Sequence, residues 1–326
     1  MKKTVAFLLT LLLCLCTLTA CKGTGKALTV NGEKVDQAEY AFFLNYNRIS
    51  FLADKSSYTK DELKQARERA IEQIVLNETV RQKCEKYGIK LSKEQKKQLE
   101  SDKKAFVKAL GGNAKYLEYL KAACLTDRGY DKLAENEMYY NMLQEYVQKQ
   151  SDEEYTDQQL RQFFGENYIC VKYVRLSITA ENGEPMTEHG LAQVRAQAES
   201  ILAQSKNTET AFEELILRYS DDVAEEGGTE GIIVSILDAK GQPYIETAFG
   251  LETWETALCL QSDGYYIVQK QEVPATYFEE NRSYVHQTAL DYSFMKQLDE
   301  WCVGAKVKIK DAVYKINFKN IEEYIK

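Results

Sequence analysis

Residues 169–178, Ile-Cys-Val-Lys-Tyr-Val-Arg-Leu-Ser-Ile, interrupt a chain that up to this point has the spacing of helices. They alternate and are rich in β-branched side chains, which predicts a strand. Upstream, residues 36–168 place apolar side chains three and four apart, the helical period. Downstream, 277–302 returns to that period, with Phe278, Val285, Thr288, Tyr292, Met295 and Cys302 along one side. The final stretch, 305–318, alternates Val307 and Ile309 with Lys306, Lys308 and Lys310, which predicts a second strand. A terminal helix and strand are too small to fold alone, so they must pack on distant chain. Their natural partners are the early helices and the strand-turn-strand candidate at 27–35, centred on Asn31-Gly32. The expected fold is therefore α+β. A helical domain over 27–168 and 275–326 is split by an inserted α+β unit over 169–274.

Capping boxes mark the helix starts, because a Ser, Thr or Asp followed three residues later by Glu or Gln satisfies two free backbone donors. They occur at Asp36/Glu39, Thr59/Glu62, Ser92/Gln95 and Thr156/Gln159. The second opens a long helix to Tyr87, with Leu63, Ala66, Ala70 and Ile74 on one face and Gly88 ending it. The third stops near Gly111-Gly112, and two more helices run over about 114–124 and 127–150. Within the insert, helices are expected at about 188–204 and 209–218.

The N-terminus carries Lys2 and Lys3 and then an uncharged run from Thr4 to Ala20. That pattern predicts an export signal and is marginal for a membrane span of about 20 apolar residues. The run closes on Leu18-Thr19-Ala20-Cys21, which resembles a bacterial lipobox. The resemblance implies a signal over 1–20, cleavage before Cys21, diacylglycerol on its thiol and a tether over 21–26. Two acyl chains anchor stably where one is marginal, so the expected location is the extracytoplasmic face of the cell membrane. The formal net charge is −8, and losing Lys2 and Lys3 would take it to about −10, which argues against nucleic acid as a partner. Cys84, Cys124, Cys170, Cys259 and Cys302 are scattered within apolar patterns. With no C-x-x-C and no Cys/His cluster, the sequence predicts buried free thiols and no metal site. His189 and His286 fall on predicted helices with no nucleophile nearby.

Several stretches together resemble the parvulin-type peptidyl-prolyl isomerases, in a layout similar to PrsA-like lipoprotein foldases and SurA. They are "TVNGEKVDQAEYAFFL" at 29–44, "AFEELILRYSDDVAEEGGTEG" at 211–231, "YIETAFGL" at 244–251 and "SDGYYIVQK" at 262–270. Such isomerases lower a barrier of about 20 kcal/mol for prolyl rotation by holding the twisted amide, with no covalent step. The resemblance implies paired histidines with an acid beside them and an apolar wall of Met and Phe. Here Tyr173 and Tyr266 stand at the histidine positions, Asp222 at the acid, Lys240 at the wall Met and Tyr244 at the wall Phe. Phe249 is the next aromatic of that wall, and Trp254 stands where the family has a glycine. The family's Gly-Gly-Asp-Leu-Gly turn is Gly227-Gly228-Thr229-Glu230-Gly231.

Tyr173, Asp222 and Tyr266 are thus the candidate catalytic residues, and Tyr244 and Phe249 the candidate substrate-binding ones. The two tyrosines would either form a hydroxyl pair in place of the histidines or simply fill the site as aromatic core. Asp222 is either the retained acid or half of a solvated turn. The expectation is a membrane-anchored foldase or chaperone with a weak or inactive parvulin-like domain. It would bind unfolded exported polypeptides without any cofactor and could form a homodimer. The alternatives are an active isomerase using the same residues and a solute-binding or scaffolding lipoprotein.

Overall fold

The computed structural model describes residues 22–52, 57–152, 155–180, 183–206, 211–222 and 229–324. Cys21, the signal segment and Gly227-Gly228 lie outside them. The chain divides into one unit built from residues up to 150 and from 294 onward, and a second unit from 151 to 293.

The first unit is organised by β1 (Lys26–Val30), the central strand between β2 (Glu33–Asp36) and β7 (Val307–Ile309). Asn31 (φ 52) and Gly32 (φ 99) close the β1–β2 hairpin, because a two-residue turn of this hand needs positive φ at both positions. Asn31 also exchanges bonds with Lys306: its amide donates to the Lys306 carbonyl at 2.9 Å, and its Oδ1 accepts from the Lys306 amide at 2.8 Å. Antiparallel β1–β7 pairing then places Leu28 opposite Ile309 and Val30 opposite Val307. Leu28, Val30, Tyr40, Leu44, Ile74 and Ile316 are fully buried in the core beside this sheet.

Helices follow at α1 (Gln37–Leu52), α2 (Lys60–Lys86), α3 (Lys93–Ala109), α4 (Asn113–Ala122) and α5 (Asp127–Asp152). Thr59 and Ser92 form complete capping boxes with Glu62 and Gln95. At Asp36 only half the box forms. Its Oδ1 accepts from the Glu39 amide at 2.9 Å, while the Glu39 side chain turns to Lys132.

Two expectations near the C-terminus need correction. The strand predicted over 305–318 is confined to β7, and the chain then turns into α12 (Asp311–Lys315). Val313 and Ile316, three apart and both fully buried, follow the helical period rather than the alternation that precedes them. Arg67 Nη2 holds the turn by donating to the Tyr314 and Ile316 carbonyls, each at 3.0 Å. The single helix predicted from Tyr277 to Cys302 is two, α10 (Tyr277–Glu280) and α11 (Arg282–Val303). Asn281 separates them: its backbone amide and its Nδ2 both donate to the Tyr277 carbonyl, at 2.9 and 3.1 Å. A short amide side chain competes in this way with helical bonding.

The second unit holds an antiparallel sheet in the order β4-β3-β6-β5. Its strands are β3 (Tyr168–Ser177), β4 (Ile232–Ser235), β5 (Thr256–Gln261) and β6 (Gly264–Gln271). Alternation sends Val174, Leu176 and Ile267 to one face, where α7 (Glu188–Ser205) and α8 (Phe212–Tyr219) bring Ala198, Ile201, Phe212 and Leu215. Ile169, Val171, Tyr266 and Val268 go to the other, under Ile245 and Ala248 of α9 (Pro243–Phe249). The unit extends beyond 169–274. Leu160 and Phe163 of α6 (Asp157–Asn167), Phe278 of α10, and Val285 and Ala289 of α11 bury together around Tyr168.

Gly264 opens β6 where the β3 backbone passes close. A Cβ there would lie 2.5 Å from the Leu176 carbonyl oxygen. Gly264→Ala should therefore destabilise the second unit by about 2 kcal/mol. Urea unfolding followed by a probe within that unit checks this, and an unchanged midpoint would remove the close approach from the account.

Candidate functional site

The residues singled out in the sequence meet on the α9-covered face of the second sheet. On β3, alternation gives Ile169, Val171, Tyr173 and Arg175 to this face. The β3–β6 register sets Tyr173 opposite Val268 and Arg175 opposite Tyr266. Tyr173 and Tyr266 are therefore diagonal neighbours, within reach of aromatic side chains. Their ring centroids are 5.5 Å apart. Tyr244, from the first turn of α9, closes a triangle at 5.3 Å from Tyr173 and 4.9 Å from Tyr266, stacked on the latter at 19°. Phe249, at the other end of α9, packs against the same cluster.

Tyr266 is only 6% exposed. Its hydroxyl donates to Asp263 Oδ2 at 2.9 Å, and the same oxygen accepts from Arg175 Nε at 3.0 Å. Burial, reinforced by the bond to Asp263 and by that carboxylate's charge, pushes the Tyr266 phenol well above its ordinary range. It stays neutral, with its proton directed at Asp263. For Arg175, burial works against the charge, but Tyr266, Asp263 and Asp222 outweigh it and raise its pKa.

Asp222 makes its hydrogen bond away from the rings, though its charge adds to the rise of the Tyr266 pKa. It sits in the turn after α8, where its Oδ1 accepts from Ser220 Oγ at 2.7 Å. Ser220 Oγ in turn accepts from the Arg175 amide at 3.0 Å. Asp221 adds two more contacts to β3: its amide donates to the Arg175 carbonyl at 2.9 Å, and its Oδ2 accepts from the Ser177 amide at 2.7 Å. The Ser220-Asp221-Asp222 turn thus satisfies the edge of β3 beyond its pairing with β4, which ends at Val171. Lys240, matched to the family's wall Met, is exposed. Thr179 forms an isolated antiparallel bridge with Pro185.

Arg175 and Asp263 were absent from the sequence candidates. Alternation alone puts Arg175 on the face of Tyr173, two residues on. Asp263 carries no such sign, because its role follows from the tight β5–β6 turn, which folds it back towards Tyr266. Trp254 was marked by its place at a family glycine, and the backbone there is left-handed, at φ +71. Its indole is 58% exposed, and its amide donates to the Lys270 carbonyl at 2.7 Å. A bulky residue is a genuine outlier in this region.

The other chemistry-bearing groups are quiet. The five cysteines are free: Cys84, Cys124 and Cys170 are buried, while Cys259 and Cys302 are half-buried rather than buried as expected. Burial pushes the thiols of Cys84 and Cys124 up to about 11, which suppresses thiolate reactivity. Among the described residues, no group of three or more His, Cys, Asp or Glu is placed to hold a metal ion. No described helix is long and apolar enough to cross a membrane.

Comparison with known families gives a match over the N-terminal third of the chain. Residues 3–118 match the SurA-like N-terminal domain. That SurA-like region covers β1, β2 and the chain through α3 into α4. No curated protein sequence matches the chain. Among solved structures, the foldase protein PrsA from Streptococcus pneumoniae str. Canada MDR_19A is 17% identical, covering 78% of this chain and 90% of its own, at a TM-score of 0.35. The peptidylprolyl isomerase PrsA from Bacillus anthracis is 14% identical, with coverage of 72% and 95% and a TM-score of 0.35. PrsA from Bacillus subtilis is 19% identical, with coverage of 81% and 97% and a TM-score of 0.26. All three TM-scores lie below 0.5.

Two measurements probe this site. Trp254→Gly should raise the stability of the second unit by about 1 kcal/mol, the cost of a left-handed L-residue, as read from its urea midpoint. Tyr266 should also mark the alkaline limb. Its folded pKa is raised from 10.0, so its contribution is complete below the unfolded value and is lost as pH rises through and beyond it. Tyr266→Phe should flatten part of that alkaline loss and cost about 1 kcal/mol at neutral pH. An unaltered pH profile would contradict the assignment.

Proposed function

We propose that this protein is a membrane-anchored extracytoplasmic foldase that binds unfolded or newly exported polypeptides, and that its parvulin-like domain has little or no isomerase activity. One observation carries the second half. The Tyr266 hydroxyl is committed to Asp263 while its ring is stacked on Tyr244. An isomerase of this kind must offer its pocket to a proline ring and its polar groups to the twisted amide. Here three tyrosine rings occupy one another, and the phenol at the second histidine position is directed at the protein's own carboxylate.

The first half is supported by the SurA-like match over 3–118 and by apolar side chains held in solvent. Ile49 and Leu117 in the first unit are each 56% exposed, and Leu217 and Leu260 in the second are 64% and 57% exposed. Anchoring is supported by the sequence alone, through Lys2, Lys3 and the lipobox at Cys21. Binding by surfaces needs neither nucleotide nor metal.

The test has two arms, both on the full chain. Light scattering of a chemically unfolded client diluted into buffer should show suppressed aggregation at stoichiometric chain. Exchange NMR on X-Pro peptides should show no acceleration across several X residues. Unsuppressed aggregation overturns the foldase reading. Accelerated exchange that Tyr173→Ala abolishes replaces the inactive-domain reading with an active isomerase.

A further inference from the structure

In the second unit the order β4-β3-β6-β5 leaves β5 at an edge, with β6 as its one strand partner. Every second residue of an antiparallel strand turns its amide and carbonyl away from the partner. The phase is fixed at both ends of β5. The Lys270 amide donates to the Glu255 carbonyl at 3.2 Å, and the pair of Gln261 with Gly264 closes the two-residue hairpin turn. Ala257, Cys259 and Gln261 therefore bond to β6, while Thr256, Leu258 and Leu260 direct their backbone groups outward. Among the described residues, these outward groups receive a single contact, from the Cys259 thiol to the Leu260 carbonyl at 3.7 Å.

The other described sheet edges are protected. Proteins shield an edge with charged side chains, above all lysine, or by covering it. β2 carries exposed Glu33 and Lys34, and β7 carries exposed Lys308 between Lys306 and Lys310. On β4, Val234 and Ser235 are buried, and the Ser235 amide donates to Asp238 Oδ2 at 2.7 Å. β5 has none of these devices. It reads Thr-Ala-Leu-Cys-Leu-Gln, without charge or proline, and Leu260 projects into solvent. Trp254, with its exposed indole and left-handed backbone, lies two residues before the strand begins.

We propose that the β5 edge receives an extended, uncharged polypeptide segment as an added strand, bonded to the outward backbone groups of Thr256, Leu258 and Leu260. An open row of alternating donors and acceptors is completed by another extended backbone, which gives affinity through main-chain bonds whatever the partner's sequence. That suits varied unfolded segments. The proposal rests on the polypeptide-binding reading above and names the surface and the form of chain it takes. A second copy of this chain fits less well. Antiparallel self-pairing through all three residues would bring Glu252 and Glu255 of each copy towards Asp263 of the other, and like charges so placed oppose pairing.

The experiment follows amide hydrogen exchange in the full chain, alone and with a short capped peptide of alternating threonine and valine. In the chain alone, the amides of Thr256, Leu258 and Leu260 should exchange faster than those of Ala257, Cys259 and Gln261. The peptide should slow the first set at least about tenfold and leave the second unchanged. The same peptide with prolines at alternate positions, which cannot donate to a ladder, should not slow it. Leu260→Lys places a charge on the edge and should weaken peptide binding about tenfold, as losing one or two ladder bonds provides. Leu260 is 57% exposed, so this variant keeps its fold. Undiminished affinity in Leu260→Lys, or equal binding of the proline peptide, overturns the proposal. Slowing of the first set that needs no peptide and grows with chain concentration makes the occupant a second copy and also overturns it. If aggregation of a client is suppressed while these amides stay unprotected, the foldase reading stands and the edge assignment falls. If aggregation is not suppressed and no peptide binds, both fall.

Discussion

The pairing of β1 with β7 is the contact on which the chain's organisation depends. These strands come from opposite ends of the sequence, and Leu28 meets Ile309 only after everything between has been laid down. The join is short, three residue pairs, and an isolated pair of that length would be marginal in water. Burial makes it hold. Leu28 and Val30 are fully buried, as are Val313 and Ile316 just past β7, and Arg67 of α2 grips the carbonyls of Tyr314 and Ile316. Once the ends are joined, the 151–293 segment is necessarily an insert. The helical unit must draw its core from both sides of it, and Phe294 and Leu298 accordingly bury with Val80, Leu143 and Val147.

The insert meets a different constraint. Its sheet is covered on both faces, so each strand must supply two apolar sets, and the alternation in β3 does so. One set is ordinary aliphatic packing under α7 and α8. The other mixes aliphatics with Tyr173, Tyr244 and Tyr266, whose rings pack in pairs. A buried phenol needs a hydrogen-bond partner, and Asp263 provides it while Arg175 balances the carboxylate. The charge arrangement at this face therefore follows from having a tyrosine at 266. It also leaves the face with a neutral, committed hydroxyl where the resemblance implied a titratable ring.

The two units treat buried charge differently. In the insert, Arg175 is paired with Asp263, and the charges of Asp263 and Asp222 both favour its own. In the helical unit, Glu39 and Glu78 are served mainly by Lys132. That asymmetry begins at the helix start after β2. Asp36 alone caps α1, and the Glu39 side chain is released to reach α5.

The sequence by itself determined the elements whose signals are local. Capping boxes at Thr59, Ser92 and Thr156 form as written, since each involves groups three residues apart. The strand character of 169–177 and the need for a distant partner for the C-terminal strand were likewise legible from periodicity and size. Where a local signal was overruled, a specific residue did it: Asn281 ended a helix, and burial of Val313 and Ile316 turned an apparent strand into α12. The site was half legible. The family resemblance put Tyr173, Tyr244 and Tyr266 in one candidate site, and their rings do pack together. What their hydroxyls and charges do was decided only by tertiary structure. Register set Arg175 opposite Tyr266, a turn folded Asp263 back onto its phenol, and a loop carried Asp222 to the strand edge instead of into the rings. Those distances arise from strand pairing and loop closure across tens of residues, and such information exists only once the chain is folded.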